Sequence, residues 1–141
     1  MSRLPFTLTR LDHVVLRVRD AARMSAFYVD VLGCTVEREL QIGLIQLRAG
    51  SALIDIVPVT SALGQVGGSP PPTENSGRNL DHFCLRIEPF EAATLRAHFT
   101  HHGVPYRESE SVYGAEGFGP SFYIEDPERN TVELKGPASK V

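Results

Sequence analysis

Residues 11–18 read Leu-Asp-His-Val-Val-Leu-Arg-Val, and residues 80–87 read Leu-Asp-His-Phe-Cys-Leu-Arg-Ile. Five of the eight positions are identical, and the other three are apolar in both copies. Each copy alternates as a β-strand does, because side chains two apart share a face. His13, Val15 and Arg17 then look one way, and Val14, Leu16 and Val18 the other. His82, Cys84 and Arg86 repeat the first face, and Phe83, Leu85 and Ile87 the second. Two such strands, 69 residues apart in a chain of 141, predict a duplicated module whose paired histidines face one shared space.

The flanking sequence repeats in the same order. After the first copy, Asp20 is an N-cap for a helix over 21–32, with Met24, Phe27, Tyr28, Val31 and Leu32 on one stripe. Gly33 suits the left-handed position past its end. Extended segments 35–40, 43–49 and 51–58 follow, punctuated by Gly43 and Gly50-Ser51. The first module is therefore β-α-β-β-β over 11–60. After the second copy comes a helix near 90–102, carried by Ala92, Leu95 and Phe99 and stopped by Gly103. Extended segments 104–109, 120–125 and 130–135 complete a second module over 80–137. Residues 61–79 hold four glycines and three consecutive prolines and are expected to link the modules within a single domain, 1–141. Residues 113–120 are expected to form a glycine-rich loop. It is not a phosphate loop, since its spacing is not GxGxxG and a strand follows rather than a helix.

Composition narrows the function. A chain of this length buries roughly 68% of its unfolded surface, enough for one shared core. The net charge of −3 carries no basic footprint for nucleic acid. No apolar run approaches the ~20 residues of a membrane span, and the start has no signal-peptide core, so a cytoplasmic protein is the expectation. Cys34 and Cys84 lack CxxC spacing and suggest no disulfide framework.

The last strand of each module carries a carboxylate inside an apolar run. Asp55 lies in Ala-Leu-Ile-Asp-Ile-Val (52–57), and Glu133 in Asn-Thr-Val-Glu-Leu-Lys (130–135). Burying a carboxylate is costly unless it is paired or binds a metal. Two histidines and two carboxylates at matching places make a mixed nitrogen and oxygen set. Such a set suits one divalent ion, Zn²⁺, Ni²⁺, Mn²⁺, Co²⁺ or Fe²⁺, better than copper or an iron–sulfur cluster. His98, His101 and His102 fall on or at the end of the second helix and are read as solvated or capping, not as ligands. Cys84 shares the histidine face but reads as core packing.

Over roughly residues 10–137 the chain resembles the vicinal oxygen chelate superfamily, which holds glyoxalase I, fosfomycin-resistance enzymes, extradiol dioxygenases and bleomycin-resistance proteins. The resemblance rests on both Leu-Asp-His strands, on Phe-Tyr-Val-Asp-Val-Leu-Gly (27–33) and on Phe-Tyr-Ile-Glu-Asp-Pro-Glu-Arg-Asn-Thr-Val-Glu-Leu (122–134). It implies an α+β fold of two βαβββ modules forming a half-open eight-stranded barrel around one metal. The implied ligands are His13, Asp55, His82 and Glu133, with Glu133, then Asp55, as the catalytic base. It also implies substrate contacts from Arg17 and its repeat partner Arg86, and from Ser121 and Tyr123. Two departures stand out: Asp55 replaces the usual Glu or His, and Asp-Pro-Glu-Arg-Asn replaces the commoner Asp-Pro-Asp-Gly-Asn turn. The leading expectation is a metal-dependent lyase or isomerase of glyoxalase type, working as a homodimer on a small molecule chelated through vicinal oxygens. The alternatives are an Fe(II) ring-cleaving dioxygenase and a metal-free sequestering protein of bleomycin-resistance type.

Overall fold

The computed structural model describes Pro5, Thr7 and residues 9–68 and 78–139. Module one runs β1 (His13–Val18), α1 (Ala21–Asp30), β2 (Thr35–Leu40), β3 (Leu44–Ala49) and β4 (Ala52–Pro58). A short helix, α2 (Ala62–Gln65), follows inside the segment expected to be a plain linker. Residues 69–77 of that linker lie outside the described residues. Module two runs β5 (Phe83–Arg86), α3 (Ala92–His101), β6 (Tyr106–Gly114), β7 (Gly117–Glu125) and β8 (Thr131–Lys135).

The repeat is structural as well as sequential. One sheet has the order β1-β4-β3-β2 and the other β5-β8-β7-β6, with β1 parallel to β4 and β5 parallel to β8. The fold is therefore α+β, two βαβββ modules whose two four-stranded sheets leave the barrel open. In both sheets the strand that starts at or just after the histidine lies parallel beside the carboxylate strand.

Local chemistry explains the elements. Asp20 caps α1 by accepting from the Arg23 N–H at 3.0 Å, and Met24, Phe27 and Tyr28 are buried along its inner stripe. Gly33, at φ 76°, adopts the left-handed conformation that an L side chain resists. The alternation along β1 places Leu16 and Val18 in the core and leaves Val15 50% exposed. One core serves both modules, joining Leu16, Tyr28, Ile54 and Ile56 to Phe99, Phe122, Val132 and Leu134.

The modules are also tied by polar contacts. The buried Tyr28 hydroxyl donates to Asp126 Oδ2 at 2.7 Å. Glu128 accepts from the backbone N–H groups of Arg19 (2.9 Å) and Asp20 (2.8 Å), where β1 passes into α1. Residues 113–120 are not an open loop. β6 and β7 pair as far as Gly114↔Gly117, so the glycines make the tight end of a long hairpin.

Candidate functional site

β1 and β4 pair with Val15 opposite Asp55, and β5 and β8 with Cys84 opposite Glu133. In each sheet the histidine therefore stands two residues before the position that faces the carboxylate. In module two this brings His82 Nε2 to 3.2 Å from Glu133 Oε1. In module one His13 lies within electrostatic reach of Asp55.

Both imidazoles are oriented by the residue before them. His13 Nδ1 lies 2.7 Å from Asp12 Oδ1, and His82 Nδ1 lies 2.7 Å from Asp81 Oδ2. A carboxylate accepting from Nδ1–H fixes the tautomer and leaves the Nε2 lone pair free to ligate a metal. The hydrogen bond that His13 donates to Asp12 also raises the His13 pKa above its ordinary value. The sequence offered Asp12 and Asp81 within the repeated Leu-Asp-His, but the residue-by-residue reading passed over them.

The carboxylates are buried, Asp55 at 3% and Glu133 at 6% exposure. Glu133 Oε2 accepts from the Ser121 hydroxyl at 2.6 Å, and the Tyr123 hydroxyl is held close enough to Glu133 for its own pKa to rise, after the effect of burial. Asp55 instead accepts from Gln46 Nε2 at 3.4 and 3.2 Å. The registers make these supports equivalent, since Gln46 faces Asp55 as Tyr123 faces Glu133. An arginine completes each row: Arg38 Nε donates to Gln46 Oε1 at 2.7 Å, and the Arg107 guanidinium lies 4.2 Å from the Tyr123 ring centroid. Gln46, Arg38 and Arg107 were missed from sequence because cross-strand register is not visible there.

The four expected ligands thus form two pairs on two sheets. Among the described residues, no three of His, Cys, Asp and Glu gather into a group that could hold a metal. Each pair offers one imidazole nitrogen and one carboxylate, a donor set that fits half of a divalent-metal centre. Arg17 is committed locally: its Nε and Nη2 donate to Gly64 O at 3.1 and 2.9 Å, and Nη2 to Gly68 O at 3.1 Å. Arg86 pairs with Glu116 and Glu88, each at 2.8 Å. Cys84 is not packed into the core as expected: it is exposed and lines a cavity beside His82 and Glu133, and partial burial of its thiol, then Glu133, push its pKa up to about 11.

A model of the Glyoxalase/Bleomycin resistance protein/Dioxygenase superfamily matches residues 10–134. The chain belongs to this superfamily. Among solved structures it is similar to an integron cassette protein from V. cholerae, with 26% identity, 94% of this chain and 98% of that one covered, and a TM-score of 0.71. A virulence protein from Salmonella typhimurium is 22% identical, with 94% and 100% covered and a TM-score of 0.76. A lactoylglutathione lyase from Agrobacterium tumefaciens is 20% identical, with 92% and 94% covered and a TM-score of 0.65. The last two share the superfamily's fold with this chain.

Proposed function

We propose that this member of the superfamily is a metal-dependent lyase or isomerase of glyoxalase type that acts on a small substrate through two neighbouring oxygens. The observation that carries this reading is the duplicated arrangement of an oriented imidazole beside a buried carboxylate. A divalent ion held by His13, Asp55, His82 and Glu133 would supply Lewis acidity toward the substrate oxygens. Because each sheet offers only half of that set, the reading includes a homodimer in which the module-one pair of one protomer meets the module-two pair of its partner.

The chain's own residues define the rest of the chemistry. Asp81 holds the His82 ring so that Nε2 faces Glu133. Ser121 and Tyr123 hold the Glu133 carboxylate, which is the candidate to accept a proton from the substrate carbon at Oε1. Asp55, steadied by Gln46, is the second candidate.

One observation favours an Fe(II) ring-cleaving dioxygenase as a second reading. Both oxygens of Asp55 face Gln46 Nε2, and withdrawing Asp55 leaves a two-histidine, one-carboxylate face with open positions. Metal analysis of untagged protein, purified without chelator, tests both readings. His13→Ala, His82→Ala and Glu133→Ala should each abolish tight binding of a divalent ion while circular dichroism stays unchanged. Asp55→Ala should weaken binding roughly 10–100-fold in the lyase reading. In the dioxygenase reading it should leave Fe²⁺ affinity and catechol cleavage intact. If native protein binds no metal, both fail and a sequestering role becomes the better account.

A further inference from the structure

Beside His82 and Glu133 lies a cavity of about 280 Å³, lined also by Cys84, Arg86, Glu116 and Lys135. Lys135 differs from the other charged residues there. It is only 6% exposed, and its buried Nζ hydrogen-bonds to nothing among the described residues. Arg86 is paired with Glu116 and Glu88, and Glu133 is held by Ser121 and His82. A buried ammonium without an acceptor is among the most costly groups a fold can carry.

The equivalent position in module one carries no lysine. The two modules share their registers, with Lys135 facing Arg86 as Val57 faces Arg17. Val57 is 3% exposed, so the equivalent position takes an ordinary apolar side chain. The surroundings are nevertheless shaped to admit the lysine. A Cβ on Gly114 would lie 2.5 Å from Lys135 Cε, and one on Gly119 would lie 3.0 Å from its Nζ.

We propose that Lys135 is an anion anchor whose Nζ, tucked behind the cavity wall, turns into the cavity to bind an anionic oxygen of a compact carboxylate or phosphate-type ligand. The substrate of the neighbouring site is then itself an anion, and that step rests on the metal-site reading above; anion binding at Lys135 does not. Glu133 and Lys135 are two residues apart on one strand, about 7 Å, so a small ligand reaches both.

The test uses chelator-treated protein, melted at constant ionic strength in chloride, then with tens of millimolar inorganic phosphate or acetate. Wild type should gain several degrees from at least one of the two, and the effective one identifies the anion class. Lys135→Met should melt a few degrees above wild type in chloride, since it removes an unpaired buried charge, and should gain nothing from either anion. Gly114→Ala, whose methyl displaces the lysine stem, should lose the response too, and it decides the matter if Lys135→Met does not fold. Equal gains in wild type and both variants, or none in wild type, would overturn the proposal. Metal titration of the same proteins is read separately. An intact anion response in a wild type that binds no metal sinks the metal reading and leaves the anchor standing.

Discussion

A thiol and a carboxylate facing each other across one strand pair set the character of the site. Cys84 stands opposite Glu133, and its pKa is pushed up to about 11 by burial first and by the carboxylate second. The thiol therefore stays protonated through the physiological range. Relative to an ordinary thiol its thiolate population is about 100-fold smaller, while the greater nucleophilicity of a more basic thiolate recovers roughly tenfold. Labelling of Cys84 by a disulfide reagent near pH 8 should thus run about tenfold slower than that of a free thiol, and should climb with pH up to about 11. Glu133→Gln should speed it by removing the negative neighbour. Labelling at the free-thiol rate would show that Glu133 does not face the sulfur as described.

The turn between β7 and β8 shows which parts of an element can be read from sequence. Asp126 organises it, accepting from the N–H groups of Glu128 and Asn130, both at 2.9 Å. Arg129 sits there at φ 68°, in the left-handed region that favours glycine. An L side chain in that region costs of order 1 kcal/mol. Arg129→Gly should therefore stabilise the protein by no more than about 0.5 kcal/mol in urea denaturation, much of the relief being lost to the freer unfolded chain. The departure at this turn was visible in the sequence; its conformation was not. Strand faces were legible because β1 and β5 alternate with period two, and helix ends because Asp20, Gly33 and Gly103 are strong local signals. The β6–β7 hairpin was misread because glycine at 114, 117 and 119 suggested an open loop, whereas cross-strand pairs such as Tyr113↔Phe118 carry the ladder to its tip. The supports of the carboxylates could not be read at all, since Gln46 meets Asp55 only through register.

On the scale of the molecule, the proposed centre shared between protomers would link assembly to metal binding. If the centre forms between protomers, light scattering at micromolar concentration should give twice the 15.5 kDa of the chain. Metal affinity should then fall on dilution as the dimer dissociates, because each binding event supports the other. A monomer that binds metal stoichiometrically would exclude a shared centre. The cross-module contacts of Glu128 have a different consequence. The amides at the start of α1 wait for a carboxylate made 109 and 108 residues later, and Tyr28 waits for Asp126. A nascent chain halted after its first repeat can lay α1 on β3 and β4, but it lacks the Asp126 and Glu128 carboxylates that meet Tyr28 and the start of α1. The duplication has thus lost its divisibility: each repeat now holds polar and apolar partners that the other uses.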